Sequence, residues 1–246
     1  MDFVEYSDAD MMMISLARQL SRDLREALQR RDRVLFAVPG GNTPGPVFDL
    51  LAAVEMEWDR VDVVPGDERW LPEDHPRSNA GQLRARLLRD KASAATLLPL
   101  WREGMAPEEG APALSEDLAP HLPVDVALVG MGSDMHTASL FPGAEGLAAA
   151  LASDAPAVLP ITAPGAPEPR ELHRHQRRSV GQRRLVAGEH LRHSQHDLVV
   201  ALALAQAVQQ VRPTVPVVRE RLIEQAHDQL GHGRRDLTLV LAHQVA

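Results

Sequence analysis

The 246-residue sequence contains no cysteine. That excludes a disulfide framework, thiolate metal sites and cysteine nucleophiles, and it is compatible with a reducing compartment. Lysine is almost as scarce. Lys91 is the only one, so arginine carries nearly all the positive charge. Aromatic residues make up 3% of the chain and none follows Phe141. The formal net charge of −8 argues against a general nucleic-acid binder, although it leaves room for a local anion pocket. No run approaches the roughly 18 consecutive apolar residues that a membrane span needs. The opening stretch, MDFVEYSDADMMMISLARQL, lacks a basic segment followed by an apolar one and a small-residue cleavage site. No signal peptide, membrane contact or nucleic-acid partner is therefore expected, and the expected location is the cytoplasm.

What is present reads as a globular core. The hydrophobic fraction of 44% is that of a globular protein, the length of 246 residues suits one large domain or two small ones, and no clear linker or internal repeat divides the chain. A first helix is predicted from Met13, Ala17, Leu20, Leu24 and Leu28 at helical spacing, with Ser7 or Asp8 as its cap. RVLFAVPGG reads as a buried strand running into a glycine turn. NTPGPVFDLLAAV follows as a helix capped by Asn42 or Thr43. RVDVVPGDERW is a second strand ending in charges, and SNAGQLRARLLRD is a helix capped by Ser78. TLLPL, VDVALVGMG and APAVLPITAP are further strand candidates. Strands alternating with helices predict a mostly parallel sheet covered on both faces, with ligands beyond the carboxyl ends of its strands.

Three loops leave strands at that edge. VPGGNTPG offers two glycines and a hydroxyl before a helix start, either an anion site on backbone N–H groups or an ordinary strand-to-helix turn. It lacks the Gly-Lys-Ser/Thr ending of a nucleotide-phosphate loop. GDERW sets Asp67, Glu68 and Arg69 just past a strand, where a carboxylate can orient a hydroxyl and an arginine can grip a phosphate. The plain alternative is a surface ion pair. Ser78 and Asn79 downstream read as helix-capping residues and nothing more. GSDMHTASLFPG carries the most chemistry: His136 can exchange protons near neutral pH, Asp134 can set its environment, and Thr137 and Ser139 can support the loop. No metal is expected, since His173 and His175, or His190, His193 and His196, lack carboxylate partners at matching spacing. Seven arginines between Arg170 and Arg192 have no interleaved aromatics to stack on bases.

Together, VPGGNTP, VVPGDERWLPEDHPRSN and VALVGMGSDMHTASLFPG resemble the 6-phosphogluconolactonase family in order and spacing across roughly residues 1–165. The related glucosamine-6-phosphate deaminases share the Asp-Gly-His core but continue differently after it, so HTASLFPG and DERW favour the lactonase branch. The resemblance implies a single domain over 1–246, a three-layer α/β/α fold with a mostly parallel, Rossmann-like sheet of the deaminase/ribose-isomerase/CoA-transferase-like type. It implies hydrolysis of 6-phospho-D-glucono-1,5-lactone to 6-phosphogluconate, in the pentose phosphate pathway, without a cofactor. His136 would be the general base and Asp134 its helper. Gly40, Gly41, Asn42, Thr43, Asp67, Arg69 and Arg170 would bind the sugar phosphate. The expected partner is the phosphosugar lactone alone, acted on by a monomer or small homo-oligomer.

Several positions depart from the family pattern. Pro39 and Asn42 stand where serines are usual, and Met135 stands where glycine is usual, so impaired activity is expected. A catalytically inactive phosphosugar-binding protein is the alternative reading, with an isomerase or deaminase behind it. From about residue 171 the family's later features are missing, including a Gly-x-x-Lys strand ending. That divergent part, 171–246, reads either as a shifted reading frame or as a divergent functional tail.

Overall fold

The computed structural model describes residues 6, 8–131, 138–141, 144–152 and 154–162, together with the backbone of 196–199 and 238–243. The first helix, α1 (Ala9–Leu28), starts where the sequence places it. The Asp8 carboxylate accepts the Met11 N–H at 2.8 Å, satisfying one of the donors a helix start leaves open. Then come β1 (Val34–Val38), α2 (Gly45–Ala52), β2 (Val61–Pro65), β3 (Asp67–Arg69) and α3 (Asn79–Arg86). They are followed by β4 (Thr96–Leu97), α4 (Pro107–Leu118), β5 (Val126–Met131), α5 (Leu147–Ala150) and β6 (Leu159–Thr162). The last two strands are β7 (His196–Val199) and β8 (Thr238–His243).

Five strands form one sheet in the order β4-β2-β1-β5-β8, with every neighbouring pair parallel. Alternation along β1 supplies both of its faces. Val34, Phe36 and Val38 pack with α1, α2, α3 and Trp58, while Leu35 and Ala37 pack with α4 residues Ala111, Leu114 and Leu118. A strand buried on both sides must read as a continuous apolar run, as VLFAV does. The result is the expected three-layer α/β/α arrangement. Beyond the mostly parallel sheet that the sequence predicts, a second, antiparallel sheet has the order β3-β7-β6. It exists because RVDVVPGDERW is two strands rather than one. Pro65 ends β2, and the chain turns at Gly66, whose N–H donates to the Val38 carbonyl at 2.7 Å, before DER joins the other sheet.

The cap of α2 also differs from expectation. Neither Asn42 nor Thr43 caps it. The Gly45 N–H bonds the Asn42 carbonyl at 3.1 Å, closing a turn over 42–45, and Pro44 takes the cap position. No helix among the described residues is long and apolar enough to cross a membrane.

Candidate active site

In chain order the parallel sheet grows from β1 to β2 and β4 on one side, then returns to β5 on the other side of β1. Open α/β sheets bind ligands where the strand order reverses in this way, beyond the carboxyl ends of the strands. A cavity of about 260 Å³ lies there. The turn after β1 lines it with Pro39, Gly40, Gly41 and Thr43, the segment after β2 with Gly66, Asp67 and Arg69, and the end of β5 with Leu128, Val129 and Gly130. Met13 and Leu16 of α1, Pro44 and Val47 at the start of α2, Asn79 of α3, and Ala138 and Ser139 complete it. The cavity is thus lined by both apolar and polar residues.

The glycine turn is shaped by two different constraints. Gly41 has φ +86°, a left-handed conformation that glycine adopts without steric cost. Gly40 is required by crowding: a Cβ there would lie 1.8 Å from Asn79 Oδ1 and 2.1 Å from its Cγ. The turn offers fewer amide donors than its glycines suggest. Pro39, Pro44 and Pro46 have none, the Gly41 N–H donates to Gln82 Oε1 at 2.9 Å, and the Gly45 N–H is spent on Asn42. Asn42 is exposed and is not among the cavity's lining residues, whereas Thr43 is.

Asp67 and Arg69 are presented by a buried carboxylate between them. Glu68 is fully buried. Its Oε1 accepts the Arg69 N–H at 2.9 Å and the Asn79 N–H at 2.8 Å, and its Oε2 accepts the Ala80 N–H at 2.8 Å and the Ser78 hydroxyl at 3.2 Å. An anion thereby fills the start of α3, where amide donors are otherwise unpaired. Burial pushes the Glu68 carboxyl above the usual carboxylate range, against the downward pull of those four donors. Because successive strand residues face opposite sides, anchoring Glu68 inward turns Asp67 and Arg69 the other way, onto the cavity. Arg69 donates to the Arg77 carbonyl at 3.2 Å, which fixes its fork.

The Asp67 carboxylate is held from two elements. Ser139 donates its hydroxyl to Oδ2, and Asn79 Nδ2 donates to the Asp67 carbonyl at 2.7 Å and to Oδ1 at 3.3 Å. Ala138 and Ser139 adopt φ of +49° and +60°, a backbone that costs about 1 kcal/mol or more per non-glycine residue. Hence Gly40, Gly41, Thr43, Asp67 and Arg69, far apart in sequence, meet at one cavity. His136, Asp134, Met135 and Arg170 lie outside the described residues. The sequence reading gives Asn79 only a helix-capping role, whereas the structure adds it to the cavity lining. The signal that could have found it is its place in HPRSN, directly after the charged segment. Among the described residues, no three His, Asp or Glu side chains cluster as a metal site would.

A reversed-order parallel sheet with a glycine turn, an arginine and a clamped carboxylate lining a cavity at its carboxyl edge defines an α/β protein built to hold a small polar ligand. Residues 7–171 match the family described as glucosamine-6-phosphate isomerases/6-phosphogluconolactonase, and the chain belongs to that family. A 6-phosphogluconolactonase of Mesorhizobium japonicum is 41% identical over 170 residues, spanning 67% of this chain and 70% of the relative. One from Pseudomonas aeruginosa is 39% identical over 162 residues, spanning 63% of this chain and 66% of the relative. In fold, the chain is similar to the crystal structure of a 6-phosphogluconolactonase from Shewanella baltica OS155. The TM-score is 0.71 at 23% identity, covering 97% of this chain and 95% of that one.

Proposed function

We propose that this protein hydrolyses 6-phospho-D-glucono-1,5-lactone to 6-phospho-D-gluconate. The observation that carries the reading is the convergence of three separated motifs on one cavity at the reversal point of the sheet. The identity of 35–41% to relatives named 6-phosphogluconolactonase supports the choice of substrate. A lactone is an activated ester, so a positioned water, one base and charge stabilisation suffice. In this reading His136 takes a proton from water as the water oxygen bonds to the lactone carbonyl carbon. His136 then returns that proton to the ring oxygen as the bond from the carbon to it breaks, which leaves a free hydroxyl, and the new carboxylic acid ionises. Asp134 orients His136. Arg69 and the Gly40–Thr43 turn hold the phosphate with Arg170, and Asp67 orients a sugar hydroxyl.

The reading takes residues 1–246 as one domain that acts in the cytoplasm as a monomer or small homo-oligomer, with no nucleic-acid or membrane partner. The test is hydrolysis of freshly generated lactone above its spontaneous rate, with His136→Ala alongside. Enzyme-dependent turnover abolished by the substitution is expected. Binding of 6-phosphogluconate without turnover would replace this reading with that of an inactive phosphosugar binder. Met135→Gly would then locate the fault if it restored the rate.

A further inference from the structure

Asn79 is the first residue of α3, and the helix needs nothing from its side chain. Its backbone N–H is already bound by Glu68 at 2.8 Å, and the helix cap is Ser78, whose hydroxyl accepts the Gly81 N–H at 3.2 Å. The side chain instead leaves the helix and enters the cavity wall, 1% exposed as a residue. Its orientation is not ambiguous, because the Asp67 carbonyl can only accept. The group 2.7 Å from that carbonyl must therefore be the amide nitrogen. The carbonyl end, Oδ1, is then buried against Gly40 with no hydrogen-bond partner among the described residues. A buried acceptor without a donor is a standing cost, and such atoms in a native structure call for a reason outside packing. An amide that sacrifices one end and directs the other at a site carboxylate has that reason.

We propose that Asn79 is a positioning residue of this site, acting through Asp67 while its buried oxygen braces the glycine turn at Gly40. With Ser139 on the far oxygen, it fixes the Asp67 carboxylate in one orientation toward the cavity. Arg69 is the one other charged residue lining the cavity among the described residues, and Glu68 points to the opposite side of the strand. From the neighbouring strand, Asp197 of β7 stands opposite Arg69 in register.

The orientation half of the proposal does not need the lactonase reading, but its kinetic consequence rests on that reading. Two variants test both. Asn79→Asp puts a second carboxylate where the amide now lies 3.3 Å from Asp67 Oδ1, and two carboxylates that close share a proton. Asn79→Ala removes the donor without adding charge and guards against a misfolded Asp variant. The first readout is the pH titration of the Asp67 side-chain carboxyl, followed by carbon-13 NMR on the full-length protein and assigned with Asp67→Asn. It is expected to move to higher pH in Asn79→Asp, where a second carboxylate stands beside it, and kcat/KM on the lactone is expected to fall in Asn79→Ala, where the donor is lost without added charge. The second readout is kcat/KM on the lactone against pH. Asn79→Asp is expected to lose at least tenfold at the acid end of the profile and to recover as pH rises. A role confined to packing would lower the rate equally at every pH. An Asp67 titration unchanged in both variants overturns the proposal, whatever the kinetics. A shifted titration in a protein whose wild type does not hydrolyse the lactone supports the clamp and overturns the lactonase reading. A shifted titration with a flat kinetic loss overturns the role of the clamp in catalysis.

Discussion

Gly40→Ala is the substitution for which the geometry makes the sharpest demand. Gly40 is not among the left-handed glycines, so its backbone alone accepts alanine. The obstacle is the Asn79 side chain, with Oδ1 at 1.8 Å, Cγ at 2.1 Å and Nδ2 at 2.5 Å from the new methyl carbon. Asn79 cannot simply swing aside, since it is short, buried and bonded to Asp67 through Nδ2. Overpacking of this kind costs about 1–3 kcal/mol, and displacing the amide forfeits hydrogen bonds worth roughly 1 kcal/mol. A total of about 2–4 kcal/mol is expected, which lowers Tm by about 5–15 °C in a chain of this size. Urea denaturation of four proteins measures it: wild type, Gly40→Ala, Asn79→Ala and the double variant. With Asn79 cut back, the Gly40→Ala cost should fall below about 1 kcal/mol, giving a coupling of about 1–3 kcal/mol. Gly41→Ala is the control. Its φ of +86° predicts about 1 kcal/mol of backbone cost in either background, because nothing lies within 4 Å of the added carbon. If Gly40→Ala cost the same with and without the Asn79 side chain, the contact would not be what excludes alanine.

Arg69→Lys is expected to raise KM for the lactone at least tenfold with a smaller change in kcat, because a lysine cannot reproduce the fork held on the Arg77 carbonyl; steady-state kinetics decide this. The two buried carboxylates predict opposite pH slopes. Burial would raise Asp62, but hydrogen bonds from Arg33 and His121, with their charges, outweigh it and hold the carboxyl below its ordinary value of 3.8. Its stabilisation is present above that value and lost as pH falls through the lower folded one. Asp62→Asn should therefore cost about 1–3 kcal/mol at pH 7, less in strong acid, by denaturant melts across pH. Glu68 is raised above 4.5, so the stability linked to it is present below that value and lost as pH rises through its folded pKa. Glu68→Gln should remove that decline with pH. Gly110→Ala would bring a methyl carbon 2.5 Å from Trp70 Cη2, whose ring is anchored by its Nε1 donating to the Met105 carbonyl at 2.7 Å. A loss of about 1–3 kcal/mol with altered tryptophan fluorescence is expected. For the tail, translating the encoding DNA in the other frames beyond codon 171 separates the two readings: a frame that restores a Gly-x-x-Lys ending marks a shifted reading frame. If no frame does so, the divergent tail is the protein's own.

The parallel sheet was legible because its strands are buried on both faces, and VLFAV or VDVALV has little other use. The Asp8 and Ser78 caps were legible because a short oxygen-bearing side chain before a periodic segment has a local partner. Helix α4 was not. PEEGAPALSEDL carries two prolines and a glycine, the composition of a turn, and only Ala111, Leu114 and Leu118 keep the helical spacing. The split between β2 and β3 was hidden because the second sheet depends on β7, more than a hundred residues downstream. At the site, Asp67 and Arg69 were visible as chemistry, but Glu68 and Asn79 were not distinguishable from their neighbours. Burial and hydrogen-bond direction decide their roles, and those come only from the fold. The α2 cap shows the same limit, because a turn closed by the Gly45 amide outcompeted a side-chain cap.

The six-residue pairing of β5 with β8 has a consequence for any shortened form of this chain. Every residue from Val126 to Met131 is matched to one from Thr238 to His243, so β5 is an interior strand only while the last strand is in place. A chain ending near residue 171 would expose that row of amides and carbonyls as a free border beside the cavity. Such a border is a template for pairing with another molecule. Truncation would then convert β5, the strand just before His136 in the sequence, into an adhesive edge, with self-association as its first visible effect.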